Sequence, residues 1–176
     1  MIEYTVKVHD NGDIYWYLND KLHREDGPAC EYANGTKEWY LNGKEHREDG
    51  PAVEYHNGSK EWFLNGKYHR EDGPACEYSN GDKFWYKNGE RHREDGPAME
   101  NADGNKYWYK NGKRHREDGP AIECANGDKF WYLNGKEFTE EKFLQMTQKH
   151  VIIIDGKEIS VSEKSFNELK KSLSSH

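Results

Sequence analysis

The sequence predicts a mostly β protein: a single-layer, twisted antiparallel β-meander solenoid of 23-residue hairpin repeats, with a small C-terminal α+β cap. Three observations predict it. The heptad HREDGPA starts at His23, His46, His69, His92 and His115, letter for letter. All six tryptophans, Trp16, Trp39, Trp62, Trp85, Trp108 and Trp131, fall on the same period. Units carry paired Asn-Gly steps such as Asn57-Gly58 and Asn65-Gly66, and Asn-Gly between alternating residues is the strongest short hairpin signal. Self-similarity at a fixed period marks an array whose units bury their apolar faces on one another.

Two turns per unit mean two strands per unit, turning at opposite edges of a continuous meander. A degenerate first hairpin begins near residue 4, and the array occupies residues 1–136. Within a unit the strand SKEWFL is short and the return strand KYHREDGPACEYS is about twice as long. Its surplus leaves the ladder at Asp-Gly-Pro, because proline lacks an amide donor and glycine permits a sharp bend. Two-residue turns put Tyr55 opposite Lys60, Val53 opposite Trp62 and Ala52 opposite Phe63. One face then collects the Cys/Val/Met/Ile position, the Tyr position and the Trp. The other collects Ala, Glu and the aromatic after each Trp. Across the second turn Trp62 faces His69 and Glu61 faces Arg70. The heptad therefore reads as structure: His covers Trp, Arg pairs with Glu, and Asp-Gly-Pro turns the chain.

Residues 137–176 break the period. Thr139 is placed as an N-cap, with Phe138 and Phe143 as a hydrophobic staple. HVIIIDGKEISV reads as a hairpin around Asp155-Gly156. Ser162 then caps a last helix with Phe166, Leu169 and Leu173 on one stripe. This segment is expected to hide the last edge of the array. The alternative is a homo-oligomer, or partner docking, through the apolar strand Val151–Ile154.

Composition narrows the function. A charged share of 34% would favour disorder, but six Trp, twelve Tyr and six Phe among 176 residues demand packing. A formal charge of −7 argues against a dedicated nucleic-acid binder. No apolar run approaches a membrane span, and MIEYTVKVHDNG lacks the features of a signal peptide, so a cytoplasmic protein is expected. Cys30 and Cys76 occupy the position filled elsewhere by Val53, Met99 and Ile122, and Cys124 takes a Tyr position, which reads as apolar filling. Consecutive His, Arg, Glu and Asp on an extended strand point to opposite faces and make a poor metal site. No nucleophile motif or phosphate-cradling loop is present. The chain reads as no enzyme, with no cofactor and no metal.

Pieces such as WYLNGKEHREDGPAVEYHNG and NGKRHREDGPAIECANG resemble MORN repeats, above all the divergent MORN-variant type of bacterial, phage and large-virus proteins. The resemblance covers about residues 11 to 136. It departs from the usual motif where Arg-Glu-Asp replaces the Gly after His. It implies twisted antiparallel hairpins and a scaffold or binding role. Some variant-repeat proteins appear as antitoxins, which implies a small inhibitor.

Invariant positions build the frame, so specificity is expected where copies differ. The C-terminal half carries a double aromatic row, Phe84, Tyr86, Tyr107, Tyr109, Phe130 and Tyr132, beside Lys87, Arg91, Lys110 and Arg114. These ten residues are the candidate partner-binding site, suited to an acidic protein surface. The alternative is that the row packs under the C-terminal segment. The function expected is a non-enzymatic protein-interaction module: a phage- or bacterium-encoded inhibitor or regulator that binds and occludes a host protein, antitoxin- or anti-defence-like. The alternatives are a sponge for a nucleotide or other small anionic ligand, and a structural or virion scaffold.

Overall fold

The computed structural model describes residues 3–147 and 149–174. It is a long antiparallel meander with no closed barrel, followed by two short helices flanking a hairpin. The array opens with Thr5–Val8 paired to Ile14–Leu18 and ends with Lys129–Leu133 paired to Lys136–Phe138. Between them, two-residue rungs such as Val53–Glu54 and Lys60–Glu61 build a sheet of 14 strands. Each unit adds a local hairpin such as Phe63–Leu64 with Lys67–Tyr68.

The two Asn-Gly pairs of a unit make different turns. Asn65 and Gly66 have φ of 54° and 78°, a two-residue type I′ turn. At Asn57-Gly58 only Gly58 is positive, at 88°. Tyr55 N–H donates to the Ser59 carbonyl and Gly58 N–H to that of Tyr55, a three-residue loop with glycine at its bulge. The extra loop residue slips the expected register by one. Val53 faces Glu61 rather than Trp62, and Glu54 faces Lys60. A one-residue slip moves side chains to the opposite face. The Cys/Val/Met/Ile position therefore shares its face with the residues before and after Trp, and Trp lies on the other side.

Across the second turn Trp62 does meet His69, whose N–H donates to the Trp62 carbonyl. Glu61 does not meet Arg70. The Arg70 backbone reaches the Tyr86 carbonyl of the next unit, and its side chain lies over Trp62, 4.0 Å from the ring centroid. Arg covers Trp in every heptad, at 4.0–4.2 Å. Each such Arg donates from Nε to the Asp two residues on, and from Nη1 to the Pro carbonyl and to the Glu seven residues on, as in Arg70 to Asp72, Pro74 and Glu77.

The rest of the heptad serves this clamp. A Cβ on Gly73 would stand 2.9 Å from the Arg70 guanidinium carbon, so the glycine makes room for Arg and its φ is ordinary. The heptad Ala is wholly buried in all five copies, and its carbonyl accepts the Trp N–H. His Nδ1 accepts the backbone N–H of the Asn that opens the next unit's type I′ turn, at 3.0–3.2 Å in every copy. His thus ties neighbouring units together.

Helix α1 (Glu140–Thr147) starts as expected, with Lys142 N–H donating to Thr139 Oγ1 and Phe143 fully buried. It packs on Lys129–Leu133, which carries Trp131, the one tryptophan with no heptad after it. Asp155 and Gly156, at φ 47° and 75°, turn the hairpin Lys149–Ile154 with Lys157–Ser162. Helix α2 (Glu163–Ser174) packs on that hairpin through Phe166, whose ring stacks on His150 at 4.0 Å. Leu169 and Leu173 are exposed, so the expected stripe is packed at Phe166 alone. The side chain of Ser162, expected as a cap, lies outside the described residues.

Candidate interaction face

Eight of the ten candidate residues share one face. Register pairs place Tyr86 beside Arg91, Tyr109 beside Arg114, and Phe84 and Phe130 beside the buried Cys76 and Ile122 positions. Alternation carries Tyr107 and Tyr132 to the same side. Lys87 and Lys110 do not join them. Each points to the heptad face, Lys87 Nζ lying 3.2 Å from Glu71 and Lys110 Nζ 3.6 Å from Glu94. Those lysines hold the Glu71 and Glu94 carboxyls below the usual carboxylate range.

The C-terminal segment does not cover the row. It lies over the heptad side, where Met146, Thr147, Ser160 and Val161 bound a cleft of 1210 Å³ with the last two heptads. The charged groups of that cleft are committed to one another: Arg93 and Arg116 hold two carboxylates each, and His115 faces Glu117. The row is left open, with Phe130 39% exposed.

On the open face, Arg91 lies 5.4–6.0 Å from the ring centroids of Phe84, Tyr86 and Tyr109. Its Nε is buried and has no hydrogen-bond partner. Arg114 donates to the Tyr109 and Tyr132 hydroxyls at 3.4 and 3.5 Å. Among the described residues neither guanidinium has a carboxylate within ion-pair distance, in contrast to the five heptad arginines.

The other half of the face was not singled out by sequence. Glu61, 6% exposed, accepts the Tyr55 and Tyr78 hydroxyls at 3.2 and 2.9 Å. Glu38 accepts Tyr32 at 3.2 Å, and Tyr40 donates to Glu45 at 3.5 Å. Burial, with Glu45 and Glu61 nearby, pushes the Glu38 carboxyl above the usual range. The signal was present: the residue before Trp is Glu in these two copies and aromatic in the others. Tyr68 links the halves, 4.1 Å from the Phe63 centroid and stacked on Tyr86 at 5.0 Å.

Burial pushes the Cys30 and Cys76 thiols up to about 12, so both are protonated fillers at neutral pH. Among the described residues no three His, Cys, Asp or Glu side chains are grouped to hold a metal ion, and no helix is long and apolar enough to cross a membrane. Compared with known proteins, the chain matches no family model and no curated sequence.

Proposed function

We propose that the chain is a non-enzymatic interaction module whose repeat sheet docks an acidic protein surface, occluding its partner as an inhibitor or regulator. The observation that carries this reading is the pair Arg91 and Arg114, held in an open aromatic row with no carboxylate at ion-pair distance of either among the described residues. A half-buried guanidinium is costly without an anion. A partner's Asp or Glu supplies one in the planar fork geometry that Arg matches best. The flanking Tyr and Phe are the residue types from which interface hot spots are built. The phage or bacterial origin, the antitoxin- or anti-defence-like role in a host cytoplasm, and membership of the MORN-variant repeats rest on the resemblance of the repeat.

The same rings and guanidiniums support a second reading, a sponge that stacks a base and holds its phosphate. Capture from a bacterial lysate on the immobilised chain separates the two. A single stoichiometric protein, bound on the order of 30-fold more weakly after Arg114→Glu, supports the inhibitor. A small molecule released on denaturation supports the sponge. Capture unchanged by Arg114→Glu and Tyr109→Ala overturns the site. Glu already stands at the corresponding repeat position in Glu45 and Glu137, so the fold accepts the change.

A further inference from the structure

On the open face a cluster of glutamates lies on one side of Tyr68 and two arginines without ion pairs among the described residues lie on the other. Glu38, Glu45 and Glu61 gather around tyrosine hydroxyls, with no Lys or Arg at ion-pair distance among the described residues. Arg91 and Arg114 gather around tyrosine rings with no carboxylate at ion-pair distance among the described residues, Glu137 being held by the Tyr132 hydroxyl at 2.7 Å. At one repeat position the series runs Leu22, Glu45, Tyr68, Arg91, Arg114, Glu137. Glu45 and Arg91 therefore stand one unit to either side of Tyr68, about 10 Å away in each direction, two strand spacings.

A surface of that pattern is complementary to itself once turned through half a revolution. We propose that a second copy of this chain docks on this face antiparallel, about a two-fold axis at Tyr68, so that Arg91 of each copy meets Glu45 of the other. The contact is isologous: one patch serves both copies, and the two charge pairs form together. Tyr68 meets its own counterpart at the axis, and the neighbouring rings supply apolar area. The interface is closed, because both copies spend the same face. The inference deepens the reading given under Proposed function in one respect only: self-pairing covers the aromatic row, so dimer and partner complex exclude each other.

The repeat supplies the variants for a test. Arg stands naturally at this position in two copies and Glu in two others, so Glu45→Arg and Arg91→Glu each install a side chain the array already carries. Sedimentation equilibrium on the full chain, with circular dichroism to confirm the fold, reads the result. The wild-type chain is expected to dimerise below about 100 µM at low salt and to loosen toward 0.5 M salt, where exposed charge pairs are screened. Each single variant is expected to be monomeric, since it sets like charges opposite each other twice. An equimolar mixture of the two is expected to dimerise again, because the arginine introduced in one variant then meets the glutamate introduced in the other. The double variant is expected to dimerise alone.

A wild-type chain that stays monomeric at about 100 µM overturns the proposal. So do single variants that still dimerise, which would move the contact elsewhere, or a mixture that fails to restore association. Glu45→Arg keeps Arg91 and Arg114, so its capture of a protein partner reports on the proposed function separately from self-pairing.

Discussion

Gly73 illustrates how each letter of the heptad is held by another. The clamp places Arg70 between the Trp62 ring and the Asp72, Pro74 and Glu77 oxygens, and the guanidinium fills the space a Cβ on Gly73 would need. Gly73→Ala is expected to cost about 1–3 kcal/mol as an overpacking change, read as a melting temperature lower by several degrees. An unchanged melting temperature would mean that Arg70 moves aside freely. That the heptad is structural was legible from its five-fold repetition, and the charged groups of the cleft beside it are paired with one another. The individual roles were not legible. Continuing the hairpin past His69 sets Arg70 against Glu61 and leaves His to cover Trp, whereas the Arg70 backbone crosses to the Tyr86 carbonyl of the next unit and its side chain covers Trp62. No rule of composition distinguishes a glycine kept for a bend from one kept for a neighbouring side chain.

Single turns decided the faces. Both Asn-Gly pairs signal hairpins, and both make them, but one closes in two residues and the other in three. With a side-chain period of two, that one residue moved Trp away from the Cys/Val/Met/Ile position and set the residue before Trp opposite it. Alternation along each strand then places Glu38 and Glu61 on the candidate face and Lys87 and Lys110 on the other. Glu38 offers a check on this arrangement. Its folded-state carboxyl is raised, first by burial and then by Glu45 and Glu61, so the folded form binds the proton more tightly than the unfolded one. The stability it confers is present at low pH and lost as pH rises through the ordinary carboxylate range toward the raised value. Glu38→Gln is therefore expected to be more stable than wild type at pH 7, with the advantage shrinking toward about pH 4. Denaturant titrations of the dilute monomer at several pH values measure it, and a pH-independent difference would count against a strained carboxylate.

Across the whole molecule, stability runs from unit to neighbouring unit. Short polar residues after the first turn glycine of a unit continue the ladder: Thr36 accepts the His56 N–H, Ser59 that of Ser79, Asp82 that of Ala102 and Asn105 that of Ala125. The cap ends this succession by laying α1 on the strand of Trp131, where no arginine follows. A chain ending at Gly135 is expected to keep the strand signature of the array in circular dichroism. Such a chain should lose stability at its C-terminal end and aggregate more readily, since its last edge lies open. Light scattering on heating checks this, and a truncated chain as soluble as the full one would assign the cap another task. The 23-residue period, the alternation of strand and turn and the change of pattern after residue 136 follow from local chemistry, since Asn-Gly turns, proline and apolar spacing act within a few residues, and these the chain determined by itself. Which residues share a face, which arginines keep their carboxylates and which do not, and where the C-terminal segment lies depend on register and on units 19 to 23 positions apart in sequence. Those distances are bridged by packing and hydrogen bonds between units, so only the folded array could decide them.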